Sequence, residues 1–106
     1  MCTIIALRNM RADFPLVLAT NRDEFYARAS TGAERILAAP VTVGGRDLAA
    51  GGTWMGVTAQ GLFVGVTNQR TFAPPDRAKR SRGELVMRAL ASGEVDGVRT
   101  MLAAQD

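Results

Sequence analysis

The chain has 106 residues, 47% of them hydrophobic and 22% charged. These values are typical of one soluble globular domain and exclude a disordered tail. The apolar run at residues 3–7 is shorter than a signal-peptide core of roughly 7–15 residues and far below the roughly 18 residues of a membrane span. We therefore expect a cytoplasmic protein without stable membrane insertion.

The charge balance is weakly basic, with 13 Lys and Arg against 10 Asp and Glu. The arginines are spread along the chain among acidic residues, and the densest basic stretch, residues 70–82, contains Pro74 and Pro75. Nucleic-acid binding needs clusters of one sign. This stretch is therefore interpreted as a solvated loop, and no nucleic-acid partner is expected.

Two residue types that are common in enzyme sites are scarce or missing. The chain has one cysteine, Cys2, and no histidine. This excludes an internal disulfide, a zinc site of Cys and His, and a Ser-His-Asp or Cys-His catalytic pair within the chain. No metal and no cofactor are expected.

The first half of the chain predicts two strands separated by a turn. Residues 2–8 alternate weakly and are rich in β-branched side chains, which favours a strand. Residues 9–14 are polar and indicate a turn, and residues 16–20 form a short apolar run typical of a buried strand. Residues 25–40 give no clear pattern, and residues 41–52, with four glycines, are interpreted as a loop or a bulged edge.

A hairpin is predicted next. Residues 53–58 and 62–67 are two strand-like runs, and the short turn between them ends at Gly61. Gly56 and Gly65 lie inside these runs. Glycine within a strand often marks the close approach of another backbone or of a ligand.

Two helices are predicted to follow. Ser81 and Glu84 form a capping box, in which the Ser81 hydroxyl accepts a hydrogen bond from the Glu84 amide. The helix is expected to stop at Gly93, and its apolar face holds Leu85, Val86, Ala89 and Leu90. A second helix is predicted from about Val95, with an apolar face of Val98, Met101 and Leu102.

The order of these elements, strands first and helices last, predicts an α+β fold with about four strands and two helices. One face of the sheet is covered in such a fold. The other apolar face lacks a cover, which favours low stability or self-association into a homo-oligomer. Because no stop signal follows the last helix before Asp106, residues 1–106 are expected to form a single domain that is truncated at its C-terminus.

Cys2 is a candidate nucleophile because it directly follows Met1. Initiator methionines are commonly removed before a small residue, and Cys2 would then carry a thiol beside a free α-amine. The amine can act as the base that a histidine supplies elsewhere. The alternative is a small core residue at the start of a strand, since free cysteines often pack as hydrophobes.

Polar residues end the second predicted strand, namely Asn21, Arg22, Asp23 and Glu24. Because neighbouring strand residues point to opposite faces, about two of the four face one pocket. An arginine there can hold a carboxylate or phosphate with two parallel hydrogen bonds. The alternative is a solvated turn with a local ion pair.

Further candidate site residues lie in and after the hairpin. Asn68 ends its second strand, where an amide can donate to a developing oxyanion or simply form a turn. Trp54 is the only tryptophan, and with Gly52 it forms either a pocket rim or part of the core.

Five motifs follow one another in this chain: Met1-Cys2 before a strand, Asn21-Arg22-Asp23-Glu24-Phe25-Tyr26, Gly51-Gly52-Thr53-Trp54-Met55-Gly56, Thr67-Asn68, and Ser81-Arg82-Gly83-Glu84-Leu85-Val86. Together they resemble the NRDE family, named after its four-residue motif, whose animal members are called transport and Golgi organisation proteins. The resemblance covers residues 1 to about 90. Family members are considerably longer than this chain, in keeping with a C-terminal part beyond Asp106.

The NRDE family is in turn similar to N-terminal-nucleophile (Ntn) hydrolases of the penicillin and bile-salt acylase type. That similarity implies a four-layer αββα sandwich of antiparallel sheets with helices outside. It also implies a processed N-terminal cysteine that cleaves amides with nearby Arg, Asp and Asn side chains. Carried over by position, Cys2 is the nucleophile and Asn68 helps form the oxyanion hole.

The NRDE motif departs from the acylase pattern by one residue. Counted back from Phe25, Glu24 stands at the acylase Asp position and Asn21 at the acylase Arg position. Arg22 and Asp23 are thus one residue out of register, which would place them on the opposite sheet face.

Two functions from different classes follow from this resemblance. In the first, the domain hydrolyses a small acyl amide: Cys2, Asn68, Glu24 and Asn21 are catalytic, and Arg22, Asp23, Trp54 and Gly52 bind the substrate. In the second, the domain is a non-catalytic carrier of a small molecule, an acyl lipid or haem. Without histidine, the axial haem ligands left are Cys2, Met10 and Tyr26.

Overall fold

The computed structural model describes residues 2–68, 76 and 78–105. This part of the chain contains six strands and two helices. They are β1 (Thr3–Arg11), β2 (Phe14–Asn21), β3 (Glu34–Ala38), β4 (Val41–Gly44), β5 (Met55–Thr58), β6 (Phe63–Gly65), α1 (Arg82–Ser92) and α2 (Val95–Ala103). The α+β class is confirmed, but the expected number of about four strands is wrong.

The strands form two antiparallel sheets. β1 and β2 pair as a hairpin, and the other four strands form a sheet in the order β3-β4-β5-β6. Helix α1 packs on β5 and β6, and α2 packs on α1. The β1–β2 hairpin meets β5 and β6 through Thr20, whose hydroxyl donates to Met55 Sδ at 2.9 Å, and through Ile4, which packs on Gly65.

The core lies between α1 and the four-stranded sheet. Its buried apolar side chains come from β3 and α1 and are Ile36, Val86 and Leu90. The sheet presents small residues to the helix, since a Cβ on Gly56 would lie 2.8 Å from Leu90 Cδ1. A backbone or a ligand was expected close to Gly56, but the nearest neighbour is the Leu90 side chain, with the Val43 carbonyl oxygen at 3.3 Å.

The start and the end of the first helix agree with the sequence signals, with one difference in the N-terminal cap. Helix α1 begins after Ser81 and ends at Gly93, which has φ 80° and donates its amide to the Leu90 carbonyl. The Ser81 hydroxyl accepts from the Gly83 amide, not from Glu84 as the capping box predicted. Both amides point out of the first helical turn, and Gly83 is the nearer partner in this turn.

Two strands were missed because their residues show no clear strand pattern, although they pair as a local hairpin around residues 39 and 40. β3 lies within residues 25–40, and β4 lies within the stretch interpreted as a loop or bulged edge. β4 is an inner strand, since it pairs with both β3 and β5. Glycine is required at position 44 because a Cβ would lie 2.5 Å from the Met55 carbonyl oxygen. Gly44 therefore permits the pairing of β4 with β5, although glycine is a residue type that argues against a strand in the sequence.

The hairpin turn and the burial of β2 also differ from expectation. The strands extend further than predicted, so that only residues 12 and 13 separate them. Leu16 is 50% exposed and Ile5 is 52% exposed. β2 is therefore not a buried strand. The sheet of β1 and β2 is covered only on its inner face, where it meets the larger sheet.

Candidate functional site

The polar segment at residues 21–24 is held to the start of β1 by Asn21. The Asn21 Oδ1 atom accepts a hydrogen bond from the Thr3 amide at 2.8 Å. Its Nδ2 atom donates to Asp23 Oδ1 at 3.0 Å. The first bond joins the end of β2 to the beginning of β1, and the second fixes Asp23 beside Asn21.

Cys2 lies at this junction. It precedes β1, is half-buried, and directs its thiol toward the Asp23 carbonyl oxygen, with Sγ and O 3.8 Å apart. Thr3 pairs with Asn21 and Ile4 with Thr20. Continuing this register by one residue places Cys2 opposite Arg22, on the inner face of the hairpin that also carries Ile4 and Thr20.

Arg22 stacks on Trp54. The guanidinium carbon lies 4.7 Å from the centroid of the indole ring, a cation–π geometry. The indole is also close to Gly45, where any Cβ would overlap the six-membered ring. Trp54 thus contacts both the Gly45 backbone and the Arg22 side chain, and the register places Arg22, not Asn21, on the inner face.

A cleft of about 450 Å³ lies between the hairpin and the four-stranded sheet, and Trp54 stands at its wall. We call it the inter-sheet cleft. Its walls are mostly apolar and include Leu18, Thr20, Val43, Trp54, Met55 and Phe63. This volume lies within the range of about 300–1,000 Å³ that is usual for small-molecule sites.

An ion-pair network borders the site on the side of Glu24. Arg28 donates from Nε and Nη2 to Asp47 Oδ2, at 3.1 and 2.7 Å. Glu24 Oε2 lies 3.7 Å from Arg28 Nη1, and Glu24 Oε1 accepts from the Phe25 amide. Glu24 therefore faces Arg28 in the described contacts.

The Asp47 carboxyl has a lowered pKa. Its partial burial opposes ionisation, but the hydrogen bond from Arg28 and those from the Ala49 and Ala50 amides outweigh it and lower the pKa of Asp47 below its ordinary value. The same hydrogen bond to Asp47 raises the pKa of Arg28. The pair is ionised at neutral pH.

Several predicted site residues lie apart from the cleft wall. Gly52 has φ 83° and packs on Gly83 at the start of α1. Asn68 is exposed and follows β6 by three residues. The haem-ligand candidates Met10 and Tyr26 are both strongly exposed, at 71% and 107%. The structure brings together Cys2 and the NRDE motif, with Trp54 beside Arg22.

Residues 2–68, 76 and 78–105 contain no group of three or more His, Cys, Asp or Glu side chains that can hold a metal ion. In the same described ranges, no helix has the length and apolarity needed to cross a membrane.

Three residues of this site were not among those predicted from the sequence. Gly45, Arg28 and Asp47 contribute through neighbours that are distant in the chain. An arginine four residues after Glu24 was the only available hint, because i and i+4 charges of opposite sign often interact.

Comparison with known proteins identifies the family. The model of the transport and Golgi organisation 2 family matches residues 1–104. The chain is 37% identical over 84 residues to the transport and Golgi organization protein 2 homolog of Bos taurus, covering 74% of this chain and 29% of the relative. It is 37% identical over 93 residues to the homolog of Homo sapiens, covering 80% of this chain and 31% of the relative.

Another relative, transport and Golgi organization protein 2 of Drosophila melanogaster, is 40% identical over 78 residues, which are 69% of this chain and 28% of the relative. The matched segment thus spans less than a third of these relatives. No solved structure matches the chain. On the family model and these relatives, the chain belongs to the transport and Golgi organisation 2 family.

Proposed function

We propose that this domain binds a small amphipathic acyl compound, with its apolar part in the inter-sheet cleft and its polar end at Arg22. The observation that carries the proposal is the cleft itself, a space of about 450 Å³ with mostly apolar walls and an arginine stacked at its tryptophan. Apolar walls with a few placed polar groups are the usual composition of a small-molecule site.

The stacked geometry favours an oxygen-rich polar end. A guanidinium carries its N–H donors in its own plane, so an indole on its face leaves the edge available for bonding. Carboxylates and phosphates match that edge with two parallel hydrogen bonds. Trp54 at the same time adds apolar contact area beside the acyl part.

Hydrolysis of the bound compound is a second candidate, favoured by the position of Cys2. Its thiol lies at the start of β1, at the junction held by Asn21 and Asp23. Removal of Met1 would give Cys2 a free α-amine next to the thiol.

In such a reaction the amine takes the thiol proton, and sulfur attacks the amide carbonyl carbon. The C–N bond then breaks, and the leaving amine receives that proton. Water hydrolyses the resulting thioester, which releases a carboxylic acid and restores the thiol. Asn68 is proposed to donate to the oxyanion, and Asn21, which accepts from the Thr3 amide, to position the N-terminal residue.

N-octanoylglycine tests both functions in one experiment, because it has an apolar chain, an amide and a carboxylate. Isothermal titration measures its binding, and a ninhydrin assay measures released glycine. Binding that weakens in Arg22→Gln and Trp54→Ala, but not in the control Arg8→Gln on exposed β1, supports the cleft.

The Cys2→Ala variant separates the two functions. Glycine release that disappears in Cys2→Ala while binding persists supports hydrolysis. Binding without glycine release in the wild-type protein supports the carrier function alone. If N-octanoylglycine and octanoate both fail to bind, the proposed ligand class is wrong.

A further inference from the structure

Arg28 and Asp47 connect two segments that are separate in the chain. The Arg28 side chain reaches Asp47 with two hydrogen bonds to a single carboxylate oxygen. The backbones are joined as well, because the Leu48 amide donates to the Ala29 carbonyl and Ser30 pairs with Asp47. The segment that follows the NRDE motif is thereby attached to the loop that precedes Trp54.

Asp47 also organises its own loop. Its Oδ1 atom accepts from the Ala49 amide at 2.9 Å and from the Ala50 amide at 3.3 Å. Its backbone amide donates to the Gly52 carbonyl, and its carbonyl accepts from Gly51. One carboxylate therefore uses one oxygen to close the loop and the other to bind Arg28.

These contacts lie on the two chain segments that carry Arg22 and Trp54. Arg22 lies on the segment that Arg28 anchors, and Trp54 follows the loop that Asp47 closes. A stacked pair requires its two members to be placed within a fraction of an ångström of their productive positions. The ion pair is one of two side-chain links between the segments that carry them, and the other is the Thr31 hydroxyl, which accepts from the Arg46 amide farther from Arg22 in the chain.

We propose that Arg28 and Asp47 are positioning residues, which keep Arg22 stacked on Trp54 at the wall of the inter-sheet cleft. The proposal rests on the proposed binding function for its effect on ligand, but its effect on Trp54 is independent of any ligand. Neither side chain needs to touch the ligand. Their role is to fix the distance between the two segments.

A neighbouring ion pair supplies the matched control. Arg46 Nε lies 3.1 Å from Glu34 Oε1, and both side chains are about as exposed as Arg28. Arg46 is adjacent in sequence to Asp47, but its ion pair joins β3 to the end of β4 and does not reach the NRDE segment. Arg46→Gln removes an ion pair without releasing the stack.

The test uses Trp54 fluorescence in the protein without ligand, since Trp54 is the only tryptophan. Asp47→Asn keeps an oxygen for the two loop amides and loses the charge that binds Arg28. We expect its emission to shift to longer wavelength and acrylamide quenching to increase. Arg28→Gln should give the same change, Arg28→Lys a smaller one, and Arg46→Gln none.

Binding of N-octanoylglycine gives the second readout. Release of the stack moves the Arg22 guanidinium away from the ligand carboxylate, and loss of that charge-assisted hydrogen bond is expected to weaken binding about tenfold or more. The proposal would be overturned if Trp54 emission is unchanged in both Asp47→Asn and Arg28→Gln and changes only in Asp47→Ala. That result would show that the hydrogen bonds closing the Asp47 loop, and not the ion pair, hold Trp54 in place. If emission changes as expected and the wild-type protein binds no N-octanoylglycine, the positioning role stands and the proposed function fails.

Discussion

The close contact between Gly45 and Trp54 predicts that a larger residue at position 45 will displace Trp54 and destabilise the wall of the cleft. In Gly45→Ala the new methyl carbon would lie 2.6 Å from Trp54 Cζ2 and 3.0 Å from the Thr31 carbonyl oxygen. The carbonyl belongs to the backbone, so the indole ring has to move. Added carbon atoms in a packed region cost about 1–3 kcal/mol, and movement of the ring forfeits a cation–π contact of about 0.5–1 kcal/mol at an exposed site.

Gly32→Ala is the matched control, because Gly32 lines the same cleft and has nothing within 4 Å of its added Cβ. A glycine-to-alanine change at such a site stabilises by about 0.4–1 kcal/mol through the unfolded chain. Because both variants gain this unfolded-chain term, they should differ by the cost of the overlap and the lost cation–π contact, about 1.5–4 kcal/mol in free energy of unfolding. Urea denaturation followed by circular dichroism measures this difference.

Trp54→Phe provides a rescue, since phenylalanine lacks the two ring atoms that the Gly45→Ala methyl would overlap. The double variant should be more stable than the sum of the single changes predicts, by about 0.5–3 kcal/mol. Equal stability of Gly45→Ala and Gly32→Ala, with unchanged Trp54 emission, would refute the packing argument. Additive effects in the double variant would refute the assigned partner.

Three further predictions concern stability. Leu90→Ala should lower the free energy of unfolding by about 2–5 kcal/mol, because Leu90 is fully buried. A loss under about 1 kcal/mol in urea denaturation would contradict the placement of Leu90 in the core. Ser81→Ala should cost about 0.5–2 kcal/mol by removing the cap of α1, and Ser81→Asp should retain most of it, as thermal denaturation would show. Because the folded pKa of Asp47 is lowered, its stabilisation is present above the ordinary value of about 3.9 and is lost as pH falls through the folded pKa. Acid unfolding of Asp47→Asn should lack this loss below about pH 4, and a curve identical to that of the wild type would contradict it.

The elements predicted from sequence are those whose signals are local. The hairpin of β5 and β6 has its glycine in the turn, and Gly61 adopts φ 93° as such a turn requires. Helix α1 has its serine cap and its glycine stop within one short stretch. β3 and β4 also form a local hairpin around residues 39 and 40, but β3 shows no clear alternation and β4 ends at Gly44, so the sequence pattern did not indicate two strands.

The site shows the same division. The grouping of residues 21–24 at a strand end was predicted, since it needs only a strand and its end. The partner of Arg22 was not, because Trp54 reaches it through a loop whose closure depends on Asp47. Hydrophobic periodicity carries no information about which distant loop an ion pair will anchor.

The register of the hairpin decides how the NRDE motif is used. Because Asn21 still pairs with Thr3, its side chain bonds to backbone at the sheet end, and the next residue, Arg22, is turned to the inner face. One residue therefore joins the strands while its neighbour stacks on the wall of the cleft. The same pairing holds the start of β1, and with it the Cys2 thiol, at the end of the hairpin where Arg22 meets Trp54. The motif of four adjacent polar residues therefore serves two purposes. Because successive strand residues point to opposite faces, Asn21 joins the strands while Arg22 faces Trp54.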